Sequence, residues 1–271
     1  MARPAPDPME QVHRFLRGEL EVAEPRDAAT VVLLRDGATG LEVYLLRRRA
    51  SMAFGAGMHV FPGGSVDDRD RDASIGWVGP EPSVWADRLS CDATLARALV
   101  CAAVRETFEE SGVLLASSGD GAMVRDTTGA DWEADRLALI DGTVSLGEFL
   151  ARRSLVLRAD LLRCWARWIT PEWSPRRFDT RFFVAAVPAG QRTRDVGGEA
   201  DSVTWLPVAE TLDRHSDGAL QLMTATAATL RELAGFADVA SVLAAERRVH
   251  PIMRRAVVVD GEVRLVHDDG A

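Results

Sequence analysis

The sequence predicts an α/β protein with a mixed sheet, and three observations carry the prediction. Short β-branched and apolar runs, ATVVLL near the start and AVVV near the end, read as strands. Stretches with helical periodicity are interleaved with such runs through long irregular connections, and no unit recurs at the spacing of a repeat protein. At 271 residues and 47% hydrophobic composition, the chain can bury a substantial core as one domain with additions.

Residues 1–27 read as an N-terminal arm, Pro-rich at first and then MEQVHRFLRGEL, a short helix or a continuation of the arm. A single domain is expected over 28–271. ATVVLLRD and LEVYLLRRR flank the turn DGATG and predict a hairpin, and MHVF predicts a third strand running into Pro62-Gly63-Gly64. Residues 65–91, with DDRDRD, GWVGPEP and VWADRL, form an irregular excursion of a length that is usually functional or partly disordered. CDATLARALVCAAVRETFEESG is a helix, capped by Asp92 and stopped by Gly112. Additional helical segments follow at 130–155 and 215–248. Between them LLRCWARWIT, FDTRFFVAAVP and VTWLP are strand-like, and AVVVDGEVRLVH predicts a terminal hairpin.

The formal net charge is −9 and every Lys/Arg position is Arg. This lacks the basic footprint of a general nucleic-acid binder, although a local Arg cluster can meet a phosphate-bearing small molecule. Cys91, Cys101 and Cys164 form no C-x-x-C pair and fit reduced thiols in a cytoplasmic protein. No apolar run reaches the ~18 residues of a membrane span, so a soluble chain with neither nucleic-acid nor membrane partners is expected. A homodimer stays open.

The informative segment is AAVRETFEESGVLL, residues 102–115. Helical spacing gathers Glu106, Glu109 and Glu110 on one face, with Val100, Cys101, Val104 and Phe108 on the other. A plain helix with a solvated acidic side is one reading. Against it, the acids crowd the C-terminal end, where the helix dipole disfavours negative charge, with only Arg105 as local compensation. A hard divalent cation such as Mg²⁺ would relieve that repulsion.

With these residues in view, the chain resembles the Nudix hydrolase superfamily. The signature of that family is Gly, five residues, Glu, seven residues, then Arg-Glu, an aliphatic, any residue, Glu-Glu, any residue, Gly and an aliphatic. Arg105-Glu106, Glu109-Glu110, Gly112 and Val113 meet its second half, with Thr107 at an aliphatic position. FPGG at 61–64 lies upstream, separated from Arg105 by 40 residues. Counting back eight residues from Arg105 lands on Arg97 instead of Glu; an aspartate of DDRDRD is a candidate substitute, with a solvated loop as the preferred reading of that stretch. A box interrupted in this way resembles the branch of peroxisomal coenzyme A diphosphatases, as does the approach sequence with Leu45, Leu46, Arg49, Gly57 and FPGG.

The resemblance implies a Nudix α/β/α sandwich with a mixed β-sheet, an insertion inside the box and a helical C-terminal extension. It implies Mg²⁺ or Mn²⁺ as cofactor and a small-molecule nucleotide diphosphate as substrate, coenzyme A or an acyl derivative first. NADH, ADP-ribose or another nucleoside diphosphate-X compound is the alternative, as is a module that binds a nucleotide without hydrolysing it. Glu106, Glu109 and Glu110 match metal ligands, with the backbone near Gly64 adding an oxygen; Glu106 doubles as a candidate base and Arg105 orients the carboxylates. For a later-loop acid the candidate is Glu199, with Asp201 as rival. Arg177 and Arg181, on one face of a strand, and Arg49 are candidate phosphate grips, each weighed against a solvated strand edge. His59 reads as a packed or surface histidine.

Overall fold

In the computed structural model, residues 8–52, 55–194 and 200–268 are described. Helix α1 (Pro8–Leu16) precedes the hairpin of β1 (Arg26–Gly37) and β2 (Gly40–Arg48). Short strands β3 (His59–Val60) and β4 (Gly63–Ser65) flank Phe61 and Pro62, and a 3₁₀ turn covers Asp68–Arg71. Strand β5 (Trp77–Val78) and helix α2 (Pro82–Leu89) lead to the long α3 (Ala93–Ser111). Then come β6 (Ala116–Ser118), α4 (Ala130–Ile140), α5 (Leu146–Arg152), β7 (Leu155–Arg158), β8 (Arg163–Ile169), β9 (Phe178–Ala186) and β10 (Ala200–Pro207). Helices α6 (Val208–Ser216), α7 (Thr224–Leu233) and α8 (Val239–Ala244) precede a last hairpin, β11 (Pro251–Val259) and β12 (Glu262–Asp268).

Among the described residues the main sheet runs β10-β2-β1-β9-β8-β11-β12, with β3 attached to β2 and β4 to β1. It is mixed, as the sequence predicts: β1 lies parallel to β9 and β8 parallel to β11, while the other neighbours are antiparallel. The central strand explains its own composition. Ala29, Val31 and Leu33 enter a core on one face, Val32 and Leu34 a core on the other, so the run is apolar throughout instead of alternating. Fully burying each large side chain contributes roughly 1.5–3 kcal/mol. Helices α2 to α5 supply the first core, through Trp85, Leu99, Leu139 and Phe149; α6 to α8 supply the second, through Val208, Leu230 and Val242. Three layers result.

Helix α3 is fixed at both ends. The Asp92 side chain accepts a hydrogen bond from the Leu95 N–H at 2.8 Å, and Gly112 ends the helix at a φ of 75°. Such a cap stabilises by about 1 kcal/mol. Thr107, at the aliphatic position, is buried because its hydroxyl donates to the Ala103 carbonyl one turn back, leaving a methyl for the core.

The stretch between Asp70 and Asp92 is ordered. Strand β5 pairs with β7 in a second, three-stranded sheet, and α2 buries Trp85 and Leu89 in the first core. Arg97 holds its near end, donating to the carbonyls of Asp72 (3.0 Å), Ala73 (3.1 Å) and Ile75 (2.6 Å). The three cysteines are unpaired, and among the described residues no helix is long and apolar enough to cross a membrane.

Candidate active site

The acids stand on the last turns of α3, and the strand β4 runs beside them. Register carries β4 there: Gly63 pairs with Thr30 and Gly64 with Ala29 on β1. The Gly63 N–H donates to Glu110 Oε2 at 2.7 Å. A Cβ on Gly64 would stand 2.4 Å from Glu106 Oε1, so glycine is required for strand and carboxylate to approach this closely.

Arg105 sits in the middle of the group. Its Nε and Nη2 form a fork onto Asp70, at 3.0 and 2.9 Å, while Nη1 reaches Glu106 at 2.7 Å and Glu109 at 3.3 Å. A further bond runs from Nη2 to the Ser65 carbonyl at 3.0 Å. Asp70 is 1% exposed and is itself held by the Asp67 N–H at 2.8 Å. Behind the helix, buried Arg136 from α4 donates to the Glu109 carbonyl at 2.7 Å, placing positive charge at the C-terminal end of the dipole.

Three buried or half-buried carboxylates thus face one guanidinium. Burial pushes Glu106 up to about 7, with Arg105 opposing the shift and Glu109 reinforcing it. Burial raises Glu109 as well, again against Arg105. Burial alone would lower Arg105, but its bonds to Asp70 and the charge of Glu106 hold it above its ordinary value. Among the described residues no three acid, His or Cys side chains converge as a ready cation cluster. The reason is visible: Glu106 and Glu109 are turned onto Arg105, and Glu110 onto the Gly63 N–H. The donor set nevertheless fits a hard divalent ion, being all carboxylate oxygen, in negative surplus, and pressed against a backbone with no side chain at Gly64.

A cavity of about 710 Å³ opens on these groups. Gly63, Gly64, Glu106, Glu109 and Glu110 line one part of it. Elsewhere the wall is apolar and aromatic, from Phe61, Trp168, Phe178, Phe182 and Met223.

Comparison with known proteins identifies this arrangement. The family model of the NUDT19 Nudix domain matches residues 78–227, more than half of the chain. The chain belongs to that Nudix hydrolase family. A crystal structure of a Nudix hydrolase from Alicyclobacillus acidocaldarius is 29% identical, with a TM-score of 0.70 over 84% of this chain and 99% of that one. The acyl-coenzyme A diphosphatase NUDT19 of Xenopus laevis is 25% identical over 223 residues, covering 67% of this chain and 56% of its own length. The chain spans about half the length of the curated relatives it matches.

The Nudix signature can now be followed through space. Counting forward six residues from Gly64, with five between as the signature has, lands on Asp70, an acid where the signature has Glu. Asp70 therefore corrects the expectation of a solvated DDRDRD loop: it is buried and forks onto Arg105. Counting back from Arg105 lands instead on Arg97, which ties down the start of the excursion through the carbonyls of Asp72 and Ile75.

Arg105, Glu106, Glu109, Glu110 and Gly64 come together as expected. Glu199 lies outside the described residues; its rival Asp201 accepts from the Ala50 N–H at 3.3 Å. The strand arginines require correction. Arg177 donates to the carbonyls of Thr170 (3.0 Å) and Ala23 (2.8 Å), and Arg181 is buried against Asp27 and Asp179. Both are held by the protein and neither lines the cavity, since the cavity-facing residues of β9 are Phe178, Thr180 and Phe182. Arg49 is exposed and its neighbour Arg48 lines the cavity in its place. His59 packs as expected, its Nδ1 lying 3.2 Å from the Gln221 carbonyl. Arg136 and Arg254 were missed, the second because nothing in AVVV-type hairpin sequence marks it as facing a cavity.

Proposed function

We propose that the chain is a divalent-metal-dependent hydrolase that cleaves the diphosphate linkage of coenzyme A or an acyl-coenzyme A. The observation that carries the reading is a carboxylate cluster in negative surplus at one part of a large cavity whose wall elsewhere carries apolar and aromatic side chains alongside Arg48 and Arg254. The likeness to the Xenopus laevis acyl-coenzyme A diphosphatase supports the substrate class. An apolar, aromatic wall suits the pantetheine and acyl arm, while the acids suit a cation-bound diphosphate.

Glu106, Glu109 and Glu110 would hold Mg²⁺ or Mn²⁺, with the backbone at Gly64 contributing an oxygen. When bound, the cation neutralises the diphosphate and polarises it for attack by water. The chain's own residues do the rest. Arg105 fixes the carboxylates through Asp70; the Gly63 N–H orients Glu110; Glu106 is the candidate acceptor of a proton from the attacking water. Glu199 is proposed as a further acid, since it directly precedes in sequence Ala200, a residue that lines the cavity. The segment between Asp70 and Arg97 is proposed as an insertion inside the box, and the α6–α8 region as an extension of the fold.

The test is turnover with Mg²⁺ or Mn²⁺ on coenzyme A, an acyl-coenzyme A, NADH and ADP-ribose. Release of adenosine 3′,5′-bisphosphate from the first two is expected. Cleavage confined to NADH or ADP-ribose would reject the substrate, and an inert protein would reject the hydrolase reading.

A further inference from the structure

We infer that Arg254 grips a second phosphate of the substrate, a phosphomonoester separate from the scissile diphosphate. The inference rests on the diphosphate-hydrolase reading and adds a site to it. Arg254 belongs to β11, beyond the residues matched by the family model. Strand alternation places it on the face of Ile252, which registers with Trp168 on β8. Trp168 and Arg254 both line the cavity.

Arg254 differs from Arg177 and Arg181 in facing the cavity, where those two are held by backbone carbonyls and by carboxylates. Its Nε, like that of Arg181, is buried without a hydrogen-bond partner among the described residues. A buried donor on a charged group is costly to leave unmet, and an anion entering the cavity would meet it. Among the described residues lining the cavity only Arg48 and Arg254 are cationic.

Position separates this cation from the acids. Strand β11 is the third from β1, across β9 and β8, whereas Gly63 and Gly64 pair on β1 itself through β4. Three strand spacings amount to about 14 Å at the backbone. A diphosphate held at Glu109 and Glu110 therefore leaves Arg254 to another group of the same ligand. Guanidinium geometry selects a phosphate, through paired N–H···O bonds. The class this favours is a diphosphate-linked nucleotide carrying an additional phosphomonoester, as coenzyme A and NADP do and dephospho-coenzyme A and NAD do not.

Calorimetric binding of adenosine 3′,5′-bisphosphate and of AMP to the full chain with Mg²⁺ tests this. Wild type is expected to favour the bisphosphate by roughly tenfold or more, the scale of a charge-assisted hydrogen bond. Arg254→Met should bring the bisphosphate down to AMP, Arg254→Lys should keep part of the preference, and Arg264→Met on β12 should keep all of it. Thermal melts confirm that each variant is folded. A preference intact in Arg254→Met, or absent from wild type, overturns the inference. If coenzyme A is cleaved while the preference ignores Arg254, this inference alone fails; if the preference depends on Arg254 but no diphosphate is cleaved, the hydrolase reading alone fails.

Discussion

Two largely buried arginines, Arg105 and Arg181, each bind carboxylates from more than one element, and only one of them stands in the candidate active site. Around Arg181 the charges balance: Arg167 and Arg181 meet Asp27 and Asp179, with Arg167 forked onto Asp179 at 2.9 and 2.6 Å. Around Arg105 they do not, since Asp70, Glu106 and Glu109 share a single guanidinium. A balanced buried network neutralises its own charge and holds strands in place. An unbalanced one is held at a cost, visible in the upward shifts of Glu106 and Glu109, and a cation bound there would recover that cost. Charge surplus, and not burial or pairing, separates the two.

The largest effect should come from removing the surplus. Glu109→Gln or Glu110→Gln is expected to lower kcat by roughly 10²–10⁴-fold, measured as release of adenosine 3′,5′-bisphosphate, whereas Asp179→Asn should leave kcat within about twofold. Equal losses from both clusters would erase the distinction. Stability sharpens it next. Arg105→Met and Arg181→Met each remove one partner of a buried network and should cost on the order of 3 kcal/mol, read by urea melts. Added Mg²⁺ should restore part of that loss in Arg105→Met and none in Arg181→Met.

Asp70→Asn should cost about 10–100-fold in activity by loosening Arg105 and, through it, the carboxylates. A drop in metal affinity should accompany it. The pH dependence is smaller. Folding raises Glu106 to about 7, against roughly 4.3 for an unfolded carboxyl, so the folded state holds the extra proton between these values. The stability contribution of Glu106 is complete below about pH 4 and is lost as pH rises through 7. The cation-free melting temperature should therefore fall by a few degrees from pH 5 to 8, and Glu106→Gln should flatten the fall. Smallest of all, Arg49→Ala should leave KM within about twofold while Arg48→Ala raises it.

Much of this was legible in the sequence because the informative residues are close together on one helix. RETFEESG predicts its own geometry from helical spacing, and Asp92 and Gly112 mark the ends of α3 in the expected way. Where function depends on chains meeting in space, the sequence is quieter. Asp70 lies among five other charged residues in DDRDRD, and only its fork with Arg105 distinguishes it. Arg177 and Arg181 look like phosphate grips until their carbonyl and carboxylate partners are known. The cavity is harder still, since its aromatic wall is assembled from β8 and β9 and its second cation from the final hairpin.

The clasp between Asp70 and Arg105 closes a ring of chain whose ends are 35 positions apart. Closure entropy grows only as the logarithm of ring length, so doubling such a ring costs about 0.6 kcal/mol. Length at this point is therefore thermodynamically cheap, provided the ends still meet. The segments on either side have no such freedom: one residue added between Gly64 and Asp70, or between Arg105 and Glu110, would swing a carboxylate away from its partner. A break in the box at this point would fall where chain entropy tolerates it best.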